Sequence, residues 1–186
     1  MKTYDLLIAG CGVSGKSAAR LASFLKREFV LLDEADSPEI RDFAASLPHA
    51  PAEVLIPWKN TDPLPFRFRT AVLSPGIRVT NPLFGNIRAA SDSIMGELQF
   101  AAQAAPDCPL TGITGTNGKT TTTELTTALF QAAGDRAESA GNIGAGLSDG
   151  IMAYRRGEVE RLIVEISSFQ LEHASSFPVD EAAVLN

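Results

Sequence analysis

Cysteine, tryptophan, histidine and positive charge are all scarce in this 186-residue sequence, and each scarcity excludes something. The two cysteines, Cys11 and Cys108, show neither metal-ligand spacing nor a pairing pattern, so no disulfide framework is expected and a reducing compartment suits them. Lys and Arg number 16 against 22 Asp and Glu, a net charge of −6. The resulting pI near 4.9 speaks against a nucleic-acid-binding surface. Trp58 and the ten phenylalanines are scattered rather than arrayed for base stacking. No apolar run approaches the ~18–20 residues of a membrane span, so membrane insertion is not expected. No G-x-S-x-G elbow occurs, and His49 and His173 read as surface residues rather than bases or ligands. Asp33-Glu34 with Asp36 reads as a charged loop, not a metal cage. Met1–Asp5 leads straight into a strand-like run without a cleavage-site pattern, which points to the cytoplasm. What remains, 45% hydrophobic and 20% charged residues, is the composition of an ordinary globular protein.

Short apolar runs alternate with helical patterns. Leu6–Ala9 ends in glycines. Ala18, Leu21, Ala22 and Leu25 then follow at i, i+3, i+4 and i+7, one face of a helix. Phe29–Leu32 predicts a second strand. Ser37-Pro38 predicts an N-cap with proline at the first helical position, and Ile40, Phe43, Ala44 and Leu47 continue an amphipathic helix. Residues 53–56 and 71–74 are further strand candidates. Alternation of this kind predicts a parallel sheet with right-handed crossovers.

The pattern breaks near residues 101–109, where a helical stretch through Leu98, Ala101, Ala102 and Ala105 stops between two prolines. A new strand, Leu110–Thr114, leads through a glycine loop into a helix carrying Leu125, Ala128, Leu129 and Ala132 on one face, with Gly134 after its end. Later strands are expected at 162–166 and 182–185. The fold class is therefore α/β, with a Rossmann-like domain at 1–104 followed by the incomplete start of a P-loop ATPase domain at 108–186. The second domain is short for its kind and stops on an apparent strand, so the chain is expected to be the first part of a longer polypeptide. Apolar surface on 162–164 and 182–185 is expected to lie exposed and to favour self-association.

Two motifs carry chemistry. Gly10-Cys11-Gly12-Val13-Ser14-Gly15 fits G-x-G-x-x-G between strand and helix, where close backbone approach and a helix N-terminus favour a phosphate. Asp33, 18 residues after Gly15, stands where a carboxylate binds ribose hydroxyls. NAD, a flavin or a UDP-sugar would each suit this geometry, and a turn needed only for packing is the bland alternative. The sharper signal is Gly115-Thr116-Asn117-Gly118-Lys119-Thr120-Thr121, read as ATP-binding. Its backbone offers successive N–H groups to phosphates, Lys119 reaches the β/γ-phosphates and Thr120 can ligate Mg²⁺. The position five before Gly118 is Ile113, so only the compact G-x-x-G-K-T form is present. Glu165 ends the buried run Leu162–Val164, where a P-loop protein puts a carboxylate for Mg²⁺. Gly141-Asn142-Ile143-Gly144 has the freedom of a ligand-hugging loop, and Ser74-Pro75-Gly76-Ile77 fits a type II turn at the carboxyl edge of the first sheet.

Gly10–Gly15, Ser74–Ile77, Gly96-Glu97-Leu98, Gly112–Thr121, Gly141–Gly144 and Glu165-Ile-Ser-Ser-Phe-Gln-Leu-Glu172 occur in this order along the whole chain. Together they resemble the ATP-dependent Mur ligases of peptidoglycan synthesis, the eight-residue segment from Glu165 being most similar to the D-glutamate-adding branch. The resemblance implies that ATP phosphorylates the free carboxylate of UDP-N-acetylmuramoyl-L-alanine and that the D-glutamate amine attacks the acyl phosphate. It implies Lys119 and Glu165 as catalytic residues and Thr120 and Glu165 as Mg²⁺ ligands. Asn142, Ser167 and Gln170 would line the path of the muramyl-alanine arm. Val13, Ser14, Asp33, Glu34, Ser74 and Gly76 would hold the UDP end. The family continues into a C-terminal amino-acid-binding domain, so these 186 residues alone are expected not to ligate, and the full-length protein is expected to be a monomer. The competing expectation is a dinucleotide-binding redox or regulatory module fused to a P-loop ATPase. A third is a UDP-sugar-binding module without catalysis.

Overall fold

A computed structural model of the chain describes residues 1–59, 62–174 and 177–186. The first half alternates as the apolar runs predict. β1 (Thr3–Ala9) leads to α1 (Val13–Phe24), β2 (Phe29–Leu32), α2 (Pro38–Ser46), β3 (Glu53–Leu55), β4 (Arg67–Leu73), α3 (Pro82–Ala90), β5 (Ser91–Gly96) and α4 (Glu97–Ala104). The five strands form one parallel sheet in the order β3-β2-β1-β4-β5. Strand order reverses between β1 and β4, so a crevice opens past Ala9 and Leu73, the place where open α/β sheets bind ligands.

The second half continues as β6 (Leu110–Gly115), α5 (Lys119–Ala132), β7 (Ala137–Gly141), α6 (Leu147–Arg155), β8 (Arg161–Glu165), α7 (Ser168–Leu171) and β9 (Glu181–Leu185). These strands form a second parallel sheet, β7-β8-β6-β9. Leu162, Ile163 and Val164 are fully buried because β8 lies between two neighbours, which corrects the expectation of exposure there; the exposed edge is β9, with Val184 77% accessible.

The largest correction concerns α5. The sequence places Leu125 and Leu129 on one apolar face, yet they are 58% and 62% exposed, while Thr123 and Thr127 are buried. The rotation follows from the loop before it. Thr120 must point at Glu165, and the residues three and seven further on share its face. The buried Thr127 hydroxyl is satisfied within the helix by the Thr123 carbonyl at 2.8 Å. Ser37 does precede α2 with Pro38 at its start, but the Ser37 side chain makes no cap bond.

One apolar core joins the two sheets. Leu6 and Ile8 of β1, Leu98 and Ala101 of α4, Leu147 and Ile151 of α6 and Leu162 and Val164 of β8 belong to the same cluster. A second cluster, with Leu7, Phe68, Leu73, Leu83 and Ile87, holds α3 on the other face of the first sheet. Polar contacts reinforce the junction. Arg20 of α1 donates a two-pronged bond to Asp149 of α6, 2.6 Å on each prong, and Ser17 Oγ donates to the same carboxylate at 2.7 Å. His173 also belongs to this junction rather than to the surface. It is buried, its Nε2 lies 2.8 Å from the Ile77 carbonyl, and its ring stacks on Phe84.

Candidate functional site

The loop between β6 and α5 takes its shape from two glycines. Gly115 has φ +142° and Gly118, at the N-cap of α5, has φ +79°. A Cβ on Gly115 would stand 2.0 Å from the Leu185 carbonyl oxygen, so β9 can pair against β6 there only because the residue is glycine. Lys119 curls over this loop and donates to the carbonyls of Gly115 at 2.8 Å and Thr116 at 3.3 Å.

Glu165 ends β8 beside it, 2% exposed. Thr120 Oγ1 donates to its Oε2 at 2.8 Å, Asn142 Nδ2 donates to its Oε1 at 2.8 Å, and the Asn142 amide donates to its backbone carbonyl at 2.9 Å. The approach of the 141–144 loop requires Gly141, φ +101°, whose Cβ would meet the Glu165 carbonyl at 2.4 Å. A hydroxyl and a carboxylate are thus paired at the mouth of the glycine loop. They fit Mg²⁺, which prefers hard oxygen ligands, takes few from protein and leaves the rest to water and phosphate oxygens. Among the described residues no cluster of three or more His, Cys, Asp or Glu forms a self-sufficient metal cage.

Asn142 also faces a cleft of about 620 Å³ between the two sheets. Val13, Ser14, Ser74, Pro75, Gly76 and Arg78 line it from the first sheet, and Gly141, Asn142, Gly144, Ser167, Phe169 and Gln170 from the second. The structure therefore brings Val13, Ser14, Ser74, Gly76, Asn142, Ser167 and Gln170 to one cavity, from segments far apart in sequence. Ser167 and Gln170 also cap α7 reciprocally: the Gln170 side chain accepts from the Ser167 amide at 2.9 Å, and the Ser167 hydroxyl accepts from the Gln170 amide at 3.3 Å.

Asp33 and Glu34 do not reach the cleft. Asp33 accepts the Cys11 amide at 2.6 Å on one oxygen and the Ala35 amide at 2.8 Å on the other, tying β2 to the glycine loop, and Glu34 is exposed to solvent. Two of the loop's glycines serve packing, since a Cβ on Gly15 would lie 1.6 Å from the Gly10 carbonyl and one on Gly10 2.7 Å from Ser74 Cβ. Val13 and Ser14 begin α1 with no side-chain cap and no acidic residue in the first turn, and both residues line the cleft, where a helix N-terminus favours an anion. Ser74–Ile77 closes through the Ile77 amide and Ser74 carbonyl at 2.9 Å, but Gly76 lacks the positive φ of a type II turn. Cys11 is buried, and desolvation raises its thiol to about 12, the state of a packing residue rather than a nucleophile.

Arg78 and Phe169 were absent from the sequence-based site. The Arg78 guanidinium lies 4.9 Å from the centre of the Phe169 ring, across the cleft from one sheet to the other. Phe169 lies inside the segment 165–172 and could have been read there; Arg78, following an ordinary turn, gave no signal of its own.

The chain is similar to known proteins over most of its length. Residues 113–186 match the Mur ligase middle domain. Over 184 residues, 96% of the chain, the sequence is 35% identical to the UDP-N-acetylmuramoylalanine–D-glutamate ligase of Streptomyces coelicolor, and over 181 residues, 97% of the chain, 37% identical to that of Frankia casuarinae. The chain spans about 38% of the length of these relatives. The UDP-N-acetylmuramate:L-alanyl-gamma-D-glutamyl-meso-diaminopimelate ligase of Neisseria meningitides aligns over 99% of this chain and 60% of its own, with a TM-score of 0.57 and 15% identity, a likeness of fold.

Proposed function

We propose that the protein carrying this chain, a member of the Mur ligase family, joins D-glutamate to UDP-N-acetylmuramoyl-L-alanine at the expense of ATP. The observation that carries the reading is the hydrogen-bonded link Thr120–Glu165–Asn142, which joins a phosphate-binding loop directly to a cleft between two sheets. Residues 1–104 would supply the UDP-substrate side of that cleft, and residues 108–186 the ATP side.

In this reading the substrate carboxylate attacks the γ-phosphorus of ATP, ADP leaves, and the amine of D-glutamate then displaces phosphate from the acyl phosphate with loss of a proton. The loop amides from Gly115 to Thr121 cradle the phosphates. Lys119 leaves its carbonyl partners to follow the charge that builds on the transferring phosphoryl oxygens. Thr120 and Glu165 would hold Mg²⁺, which neutralises phosphate charge when bound. Asn142, held by Glu165, sits where the muramyl-alanine arm must pass to reach the loop. Its position ties arrival of that arm to the geometry of the carboxylate. The amides of Val13 and Ser14, with Ser74 and Gly76, would receive the UDP end.

The dinucleotide redox alternative relies on Asp33 as a ribose ligand, and that carboxylate already accepts two backbone amides. Calorimetric titration separates the readings. UDP-N-acetylmuramoyl-L-alanine is expected to bind in the micromolar-to-millimolar range, about −8 to −4 kcal/mol, with NADH silent. Binding of NADH without the UDP compound would reverse the assignment.

A further inference from the structure

The proposed substrate brings a diphosphate and a carboxylate to a protein whose own net charge is −6. Long-range repulsion must be overcome locally, and among the described residues that line the cleft one side chain is ionised. Of the twelve residues that line it, Arg78 alone is charged. Other arginines of this chain are committed to carboxylates: Arg20 to Asp149, Arg27 to Asp5, Arg41 to Asp36, Arg67 to Asp92, Arg136 to Glu160 and Arg156 to Glu158. Among the described residues Arg78 has no such partner; nor do Arg69, Arg88 and Arg155, but of these four only Arg78 lines the cleft. It lies instead on the ring of Phe169, an aromatic side chain 51% exposed in the same cleft.

This is a particular chemical state. A guanidinium held over a ring face by cation–π attraction spends none of its five N–H donors on that contact, and all five lie in the plane of the cation. An edge-on fork of that kind matches two oxygens of a phosphate. The contact also crosses between units, because Arg78 follows the turn after β4 while Phe169 belongs to α7. The uncapped start of α1, Val13 and Ser14, lines the same cavity, so a helix N-terminus and a guanidinium share it.

Resting on the proposed function, we infer that Arg78, held by Phe169, is the specificity residue that reads the diphosphate of the uridine-nucleotide substrate. Arg78 pairs with phosphate oxygens from the side of the cleft opposite the second sheet's loop 141–144, and Phe169 keeps the fork open by occupying its face. Uridine lacking phosphate gains nothing from either residue.

Titrating the full chain with UDP and with uridine tests this. Arg78→Ala is expected to weaken UDP about ten- to hundredfold and to leave uridine within about twofold. Arg78→Lys is expected to fall between, since a point charge replaces a fork. Phe169→Leu, which keeps apolar bulk but removes the π face, is expected to weaken UDP about threefold or more. The dependence of UDP affinity on salt should shrink in Arg78→Ala. Arg78 is exposed, so its variants should fold, and an unchanged thermal transition checks this. UDP binding unchanged in Arg78→Ala, or an equal loss for uridine, overturns the role of Arg78 and leaves the proposed function standing. An unsubstituted chain that binds neither UDP nor UDP-N-acetylmuramoyl-L-alanine removes the proposed function, and the role of Arg78 with it.

Discussion

The Lys119 ammonium spends its hydrogen bonds on the Gly115 and Thr116 carbonyls of its own loop, so a phosphate competes for a cation already in place rather than ordering a free side chain. Under the proposed function, Lys119→Ala removes the loop's cation from the transferring phosphoryl group. ATP-dependent phosphate release by the whole protein is expected to drop at least ~10²-fold, a loss typical of removing one transition-state electrostatic contact. Glu165→Gln is a subtler change. The side chain keeps its shape and an acceptor for Thr120 or Asn142, but loses the charge that would hold Mg²⁺. Affinity for Mg²⁺-ATP, measured by titration at varied Mg²⁺, should fall while the affinity for UDP stays unchanged. Residues such as Lys119, Thr120 and Glu165 were legible because backbone-dictated motifs fix them at a strand end and a helix start. His173 and Arg78 were not, because burial on the Ile77 carbonyl and stacking across a cleft are created only when distant segments meet.

At the scale of the element, apolar runs predicted nearly every central strand, since a parallel strand covered on both faces needs little more than continuous hydrophobicity. Periodicity misled for α5, whose leucines face outward and whose threonines face the sheet. The Thr120–Glu165 hydrogen bond overrode the apolar face: once Thr120 is fixed against Glu165, the face that α5 turns to the sheet is set. A pair of substitutions tests that register. Leu129→Glu should change stability by no more than about 0.5 kcal/mol, as at an exposed position, whereas Thr127→Lys should cost more than about 2 kcal/mol by burying a charge. The reverse order in denaturant midpoints would mean that the helix is turned the other way. The segment from Pro82 to Gly96, α3 and β5, was unread because Ser91-Asp92-Ser93 gives an edge strand no apolar run, and only its register with β4 defines it. Gly15 makes the contrasting point about motifs. Its Cβ would strike the Gly10 carbonyl, so Gly15→Ala is expected to destabilise the fold by more than about 3 kcal/mol through steric overlap, whatever the loop binds. Thermal melts without ligand should register that loss in full.

The two sheets meet across a junction that is apolar for most of its area but contains one fully enclosed carboxyl group, Glu97 at the start of α4. Its Oε1 accepts the Ser148 amide of α6 at 2.6 Å, while its Oε2 is buried with no hydrogen-bond partner among the described residues. Desolvation pushes the carboxyl up to about 7, against the opposing pull of its bonding to Ser148; nearby Asp149 raises it further and Arg20 lowers it. The folded state therefore holds the proton where an unfolded glutamate, near 4.5, has released it. Between about pH 4.5 and 7 the native chain binds more protons than the unfolded chain, so this group's contribution is full below that window and is lost as pH rises through about 7. A difference of that size is worth on the order of 3 kcal/mol across the window, or roughly 6–12 °C in melting temperature for a chain this long. Because Glu97 joins α4 of one sheet to α6 of the other, the loss would be felt at the junction on which the cleft depends. Glu97→Gln keeps an acceptor for the Ser148 amide and cannot ionise. It is expected to melt at nearly the same temperature at pH 5 and pH 8, and above the parent at pH 8. Equal slopes of melting temperature against pH in the parent and the variant would mean that Glu97 is already ionised in its buried site, with Arg20 carrying the compensating charge.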